Sequence, residues 1–480
     1  MRTSSTRLRL LSAAALATAL TGCAVGPKYV KPDTPAVVLA SPQAVELAAS
    51  QAMDSSATMP ADWWRFFEDE GLARWIETAL SHNHDIRQAQ ARLLGARAVF
   101  DERRLDRLPG VTSSAGHVRG IQQQASNDGR RRLSESWQAG FDVQWEIDLF
   151  GRLDRLQQAA MARAEASRAD LALTRLSIAA EVARAWFDAQ GHRRQLDVAR
   201  QEADNWRETV RLAEASQRAG AGLPEEVESA RANLLRSEAA IPPLTAALQQ
   251  ARYRLDVLAG RRPGQARAEL PDPAETRFAP LATQLPLGDV KHLILARPDV
   301  IRAERLLAAS VENVGAATAE LYPRLDLGGF FGFFALRDGD LGSAASRTFQ
   351  AAPTLSWPAL RLGNARARLR AARAQSEGLL AVYEQVLLNA QEEVDNAITT
   401  LADQQRQFAV LLQSAGHAQA AFDIAGKRYR AGAGSYQAVL ESQRTLFQLR
   451  RQIVQEETGS QVQVVALYKA LGWQGERAMP

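Results

Sequence analysis

A chain of 480 residues with a formal net charge of +4 and a single cysteine cannot close an internal disulfide, so its core is held by packing alone. Three of those charges are arginines ahead of the cysteine, leaving +1 for the remainder, a balance with no electrostatic footprint for nucleic acid. After residue 22 there is no run of about 18 apolar residues, so no transmembrane helix is expected and a membrane-crossing mature chain must use strands.

The chain opens on Arg2, Arg7 and Arg9, continues through an apolar run from Leu10 to Leu20, and reaches Cys23 after the small residues Thr21 and Gly22. That is the pattern of a secretory signal peptide over residues 1–22. The Leu-Thr-Gly-Cys ending resembles the lipobox of bacterial lipoproteins, in which the signal is cut before the cysteine and the thiol and new amino group are acylated. The resemblance makes Cys23 the expected lipidation site. An N-terminal segment follows at 23–84, rich in proline and small residues in "KPDTPAVVLASPQ". Its end, "HNHD" at 82–85, has no Cys, Glu or His cluster to complete a zinc-like site. Asn83 or Asp85 reads better as a helix start, and no metal is expected.

Two copies of one unit fill most of the remaining chain. "RAGAG" stands at Arg218–Gly222 and again at Arg430–Gly434, and the same offset of 212 carries Trp145 onto Trp357, Gly151 onto Gly363 and Gly260 onto Gly472. Upstream the offset is 214, carrying Asp85 onto Asp299 and Pro109 onto Pro323, so a loop tip between Pro109 and Trp145 absorbs the change. The repeats are assigned to 85–260 and 298–472, with a proline-rich linker at 261–297 and a tail at 473–480. Each repeat reads as a helix (about 85–108 or 298–321), a β-hairpin, a long helix (about 152–218 or 364–430), a Gly-Ala-Gly break, and a second helix (about 223–259 or 435–471). Leu171, Ile178, Val182, Ala185 and Ala189 in the first long helix have coiled-coil spacing, as do Leu387, Val394, Ile398, Leu401, Phe408 and Leu412 in the second. Sixty-seven residues of helix reach roughly 100 Å. The two shorter helices, 24 and 37 residues long, nearly match that length when stacked end to end, giving two antiparallel tracks per repeat and four per chain.

Within the first hairpin, Phe141, Val143, Trp145, Ile147 and Leu149 alternate with Asp142, Gln144, Glu146 and Asp148, which is one membrane-facing strand face with period two. Leu325, Leu327, Phe331 and Phe333 repeat the pattern weakly; "TLSWPAL" at 354–360 and the segment after Gly110 are weaker still. The arginines of "NDGRRR" at 127–132 read as a solvated tip rather than a lipopolysaccharide site. Four strands cannot close a barrel and open edges are not tolerated in lipid, so a membrane role requires several chains; three would give twelve strands.

The chain resembles the TolC family of outer-membrane efflux factors, in its lipoprotein (NodT-type) branch. The resemblance rests on "GCAVGPKYVKP" at 22–32, "DWWRFF" at 62–67, "LARWIETALSHNHDIRQAQARLLGAR" at 72–97, "RPDVIRAERLLAAS" at 297–310, "LYPRLDL" at 321–327 and "RYRAGAGSYQAVLESQRTLF" at 428–447. It implies a mainly α fold with a small β part. Three chains would form a helical α-barrel and a 12-stranded transmembrane β-barrel in the outer membrane, with a belt of irregular segments around the helices. The lipid on Cys23 would sit in the inner leaflet of that membrane. It further implies that Gly220, Gly222, Gly432 and Gly434 mark turns that meet a periplasmic adaptor protein, and that Glu441, Gln437, Tyr436 and Tyr429 belong to a periplasmic gate. Ala438 departs from a position that is acidic in some relatives. An inner-membrane pump of the RND type or similar would supply the energy, and no cofactor or catalysis is expected. The rival reading is a lipid-anchored coiled-coil adaptor without a pore, which would not need the duplicated hairpin. Five methionines and six histidines form no soft-metal ladder, which disfavours copper or silver as cargo.

Overall fold

The computed structural model describes residues 24–33, 53–54, 62–123, 131–265, 285–286 and 290–472. The signal segment, Cys23 and the tail 473–480 lie outside the described residues. In chain order come strand β1 (Met53–Asp54), a 3-10 turn at Trp63–Phe67, helices α1 (Glu70–His82) and α2 (His84–Leu105), then strands β2 (Gly110–Gln123) and β3 (Arg131–Ile147). Helices α3 (Arg152–Arg218), α4 (Pro224–Ala239) and α5 (Ile241–Leu258) follow. The second half holds β4 (Leu285–Pro286), α6 (Val290–Ala296), α7 (Pro298–Ala319), β5 (Arg324–Ala335), β6 (Arg347–Ser356), α8 (Leu362–Arg430) and α9 (Tyr436–Ala470).

Two elements differ from the sequence expectation. The helix read at 223–259 is broken into α4 and α5, because Pro242 and Pro243 lack amide donors and fit only a helix's first turn. Its counterpart α9 contains no proline and runs unbroken for 35 residues. The belt read as irregular carries α1 and α6. Helix α1 forms because Leu72, Trp75, Ile76 and Ala79 share one buried face and the Asp69 carboxylate accepts the Leu72 amide at 3.0 Å as N-cap.

The chain divides into two compact units, with α2, α3, α7 and α8 contributing to both. In the unit built on residues 92–168 and 302–384, one antiparallel sheet runs in the order β2-β3-β5-β6. Side-chain contacts give the helix order α2, α3, α7, α8. Arg107 reaches Asp154 at 2.9 Å, Arg155 reaches Glu312 at 2.7 Å, and Ser310 reaches Ser376 at 3.2 Å. Small residues Ala162, Ala308 and Ala309 let α3 and α7 approach closely.

The other unit again has a layer of tracks. The stacked pair α4 and α5 packs on one side of α3 and α9 on the other, with α8 beyond α9. Arg207–Glu238 at 2.8 Å and Arg194–Glu457 at 2.6 Å flank α3, and Arg450 donates to Gln419 at 2.7 Å between α9 and α8. The coiled-coil positions from Leu171 to Ala189 and from Leu387 to Leu401 are buried, whereas Leu412 is exposed because α8 lies at the edge of the layer. The "DWWRFF" segment plugs this unit. Trp63 stacks on Tyr468 at 5.5 Å, Phe67 packs on Phe187 at 4.7 Å, and the Trp186 indole donates to Asp69 at 2.8 Å. Trp63, Trp186 and Tyr468 are fully buried, and burial of a large apolar side chain is worth about 1.5–3 kcal/mol.

End-to-end stacking of the short helices is fixed by two joints. Asn83 donates to the Leu258 carbonyl at 2.9 Å while its own oxygen caps α2 through the Asp85 and Ile86 amides at 2.8 and 3.2 Å. In the second repeat the buried Arg297 does the same work by charge: it donates to the Ala470 carbonyl, to Asp299 at 2.7 Å and to Glu393 on α8 at 2.7 Å.

Candidate channel wall, membrane sheet and helical tips

The register of the four-stranded sheet sorts its side chains onto two faces. Val111, Val143, Gly329 and Ala351 stand in one row across the strands; Phe141, Phe331 and Phe349 in the next; Trp145, Leu327 and Pro353, and then Ile147, Leu325 and Leu355, in the following two. Phe141 and Phe331 stack with ring centroids 5.1 Å apart. Val111, Phe141, Phe331, Phe349 and Leu355 are exposed, Phe349 at 84%, and Val143, Trp145, Ile147, Leu325 and Leu327 are half-buried. The opposite face presents Thr112, Asp142, Gln144, Glu146, Asp326 and Gln350, with Phe330 between Asp142 and Gln350 and the Ser114 hydroxyl donating to Asp142 at 2.5 Å. One face therefore suits lipid and the other water, over strands long enough for the roughly 25 Å apolar band of an outer-membrane barrel. Leu149, read from sequence as the last residue of the apolar face, is not in the strand: β3 ends at Ile147. The reason is Asp148, whose carboxylate turns away to accept the Asp154 amide at 2.8 Å in the first turn of α3.

Both ends of the sheet, β2 and β6, are paired on one side only among the described residues. The helical layers also stop at exposed edges, with Leu94 on α2, Leu235 and Tyr253 on α4 and α5, and Val382, Leu388 and Val410 on α8 facing outward.

At the strand–helix corners the repeat reappears as chemistry. The Trp145 indole donates to the Arg107 carbonyl at 3.0 Å and the Trp357 indole to the Leu321 carbonyl at 3.1 Å, so each tryptophan satisfies the frayed end of the preceding helix. Nothing in the strand alternation singled out this role; the repeat offset alone pairs the two residues. The segment just after Cys23 is held here as well. Val25 donates to the Phe150 carbonyl at 3.2 Å, and Tyr29 packs on the alanines between α3 and α7 with its hydroxyl donating to Glu304. Burial and that carboxylate hold the Tyr29 phenol well above its usual pKa.

The far ends of α3 and α8 carry the two Gly-Ala-Gly turns. Gly220 at φ +75° and Gly432 at φ +69° occupy the left-handed position that ends each helix, with the amides of Ala221 and Ala433 returning to the Ser216 and Arg428 carbonyls at 3.0 and 2.9 Å. Gly222 and Gly434 are needed for space: a Cβ on either would come within 3.0 Å of residue 216 or 428. Of the expected gate residues, Glu441 and Gln437 lie exposed one turn apart on α9, and Tyr429 is half-buried. Tyr436 is different. It is buried among Ala213, Val227 and Ala230 of the first repeat, 5.7 Å from the Tyr429 ring, so it ties the two tips together rather than facing outward. Burial, with Tyr429 and Glu226 nearby, pushes its phenol up to about 12. Arg444 donating to Asn233 at 2.9 Å and Thr209 to Gln443 at 3.3 Å continue this tie along the helices. Among the described residues no group of side chains could hold a metal ion.

The sequence profile of the family described as "Outer membrane efflux protein" matches residues 75–261 and 290–473. The chain is 29% identical to outer membrane protein OprJ of Pseudomonas aeruginosa, over 98% of this chain and 97% of that one. It superposes on the outer-membrane channel OprN with a TM-score of 0.88 at 37% identity, covering 94% of this chain and all of that one, since 100% is matched. The open state of the Neisseria gonorrhoeae MtrE channel gives a TM-score of 0.83 at 25% identity, covering 95% and 99%. An antiparallel sheet with one apolar face, long paired helices and duplicated glycine turns define a channel subunit, and this chain belongs to the outer membrane efflux protein family. It is an outer-membrane exit duct of a tripartite efflux system, with an α-barrel part and a β-barrel part. The pore-less adaptor reading falls with that assignment.

Proposed function

We propose that three copies close into one tube, anchored by a lipid on Cys23, that passes small organic solutes outward from an inner-membrane pump of the RND type through a periplasmic adaptor. The observation that carries this is the pair of open edges: sheet and helical layers each end in unpaired, partly apolar elements, β2 and α2 on one side and β6 and α8 on the other. An unpaired strand edge cannot sit in lipid, and a ring of identical copies removes it. The Phe141, Val143, Trp145 and Ile147 face meets lipid, the Gln144 and Glu146 face lines the pore, and the exposed Glu441 and Gln437 ring the periplasmic mouth, with Tyr429 and Tyr436 holding it shut. Relatives are named for toluene, for antibiotics and for cations; the absence of a soft-metal ladder favours the organic class here. The duct itself catalyses no reaction and draws its energy from the pump.

The test is a pair of arginines one residue apart. Val143→Arg should abolish trimer recovery from outer membranes, since a lipid-facing arginine at mid-bilayer costs about 2–4 kcal/mol in each copy. Gln144→Arg should leave trimers intact and shift bilayer conductance toward anions. Equal trimer yields from the two variants would refute the facing, and a conducting species of another stoichiometry would refute the trimer. Radiolabelled palmitate should enter the wild type and not Cys23→Ser.

A further inference from the structure

The apolar face of the sheet changes character at its outer end. From the row of Ile147, Leu325 and Leu355 to the row of Phe141, Phe331 and Phe349 that face carries no charged residue. The next three rows carry Arg347 opposite Phe333, then His117 opposite Trp137, then Arg119 opposite Glu135. Trp137 lies ten residues from Ile147 on β3, a climb of about 25 Å for a strand tilted by about 40°, which is the height of the apolar band of an outer-membrane barrel. The cations therefore stand where hydrocarbon gives way to headgroups. One exposed apolar pair, Ile121 and Leu133, lies beyond them, as scattered aliphatics do on any protein surface. His117 and Trp137 stack with ring centroids 4.7 Å apart, an aromatic placement suited to a membrane interface. Arg119 meets Glu135 at 2.8 Å through its Nε, on a side chain that stays 64% exposed. A guanidinium has five donors, more than one carboxylate takes up. Arg347 is exposed and has no ion-pair partner among the described residues. These three rows thus hold two guanidiniums and an imidazole against one carboxylate.

We propose that Arg119, His117 and Arg347 bind a phosphate of lipopolysaccharide, the phosphorylated glycolipid of the outer leaflet; the inference rests on the facing and ring closure of the proposed function. Within one chain β2 and β6 are opposite edges of the sheet. Closing the ring lays β6 of one copy against β2 of the next, so Arg347 and the pair Arg119 and His117 come onto neighbouring strands at each seam. An arginine on a lipid-facing strand is costly in hydrocarbon and snorkels to the nearest anion. At this end of the barrel that anion is the glycolipid phosphate. Guanidinium forks match phosphate oxygens two at a time, and the His117 ring N–H adds a donor. Phe349, in the row below Arg347, stands where the acyl chains run. The bound lipid would bridge two copies at the seam, over the two strand edges that one chain leaves open.

The experiment uses the full-length chain in detergent and two probes, lipid A and the same lipid stripped of its phosphates. Native mass spectrometry should show lipid A retained at least about ten-fold more tightly, saturating at one molecule per copy. R119Q/R347Q should remove the preference, and R119K/R347K, which keeps the charges, should recover most of it. Lys427→Gln, at the far end of α8, removes a charge elsewhere and should leave the preference unchanged. Inorganic phosphate should not displace the lipid; displacement would make this a free-phosphate site and defeat the assignment. Equal retention of the two lipids, or a preference that survives R119Q/R347Q, overturns the proposal. Bilayer conductance of the same preparation separates the two readings: conducting trimers without a lipid preference sink the phosphate site alone, whereas a preparation without conducting trimers sinks the tube and this site with it.

Discussion

The two repeats reach one geometry by different bonds. At the joint between stacked helices the first repeat uses a neutral amide, Asn83, that caps α2 and reaches the Leu258 carbonyl at 2.9 Å. The second uses the guanidinium of Arg297, which also draws in Asp299 and Glu393. At the tips the glycines are the same and an arginine, Arg218 or Arg430, ends each long helix, while Glu225, Glu226 and Glu228 follow only the first turn and Lys427 and Arg428 precede only the second. Along the returning track the first repeat is cut at Pro242 and the second is continuous. Glycine turns and helix lengths are therefore what the duplicated architecture requires, and the polar contacts are free to diverge wherever a carbonyl or a carboxylate can be satisfied in more than one way.

The largest test of this comparison is at the joints. Arg297→Met removes the guanidinium that holds a buried junction and should cost about 2–3 kcal/mol, below the 3–5 of a fully buried pair because Glu393 reaches water. Asn83→Ala should cost about 1–2 kcal/mol, one cap and one hydrogen bond. Denaturant unfolding of both variants in detergent measures the gap; equal losses would mean the charged joint adds nothing over the neutral one. Gly220→Ala and Gly432→Ala should each cost about 1–2 kcal/mol, since both force a Cβ into the left-handed region. A clear inequality would show that the tips are not conformational equivalents.

Smaller effects separate the tips by function. Glu441→Ala should lower cation selectivity in bilayer recordings by about two-fold, because three copies would ring one axis, whereas Ser229→Ala at the pseudo-equivalent position should leave it unchanged. Identical behaviour would make Glu441 an ordinary surface residue. The smallest expected effect is alkaline. Because the Tyr436 phenol is raised from 10.0 to about 12, its stabilising contribution is complete below pH 10 and is lost as pH rises through about 12. Phenolate absorbance should show this late titration in the wild type and not in Tyr436→Phe, and a phenolate appearing near pH 10 would mean the ring is not buried.

The sequence alone determined the lengths of α3 and α8, the glycine turns that end them, the duplicated order of elements and the apolar face from Phe141 to Ile147. Each is written locally, in helix periodicity, in the φ only glycine adopts cheaply, or in strand alternation. The proline pair at 242–243 is just as local, yet the helix expected over 223–259 ran through it; the structure breaks there because the missing amides fit only the first turn of α5. Tertiary structure decided the rest. The pairing of β3 with β5 joins two hairpins that are far apart in sequence, and Asp148 ends its strand early because α3 offers an amide to cap. Tyr436 is buried only because the first repeat's Ala213, Val227 and Ala230 pack against it. Arg297, an ordinary arginine in sequence, becomes a junction once Ala470 and Glu393 are brought to it. Contacts of this kind depend on which surfaces the fold brings together, and no local pattern encodes them.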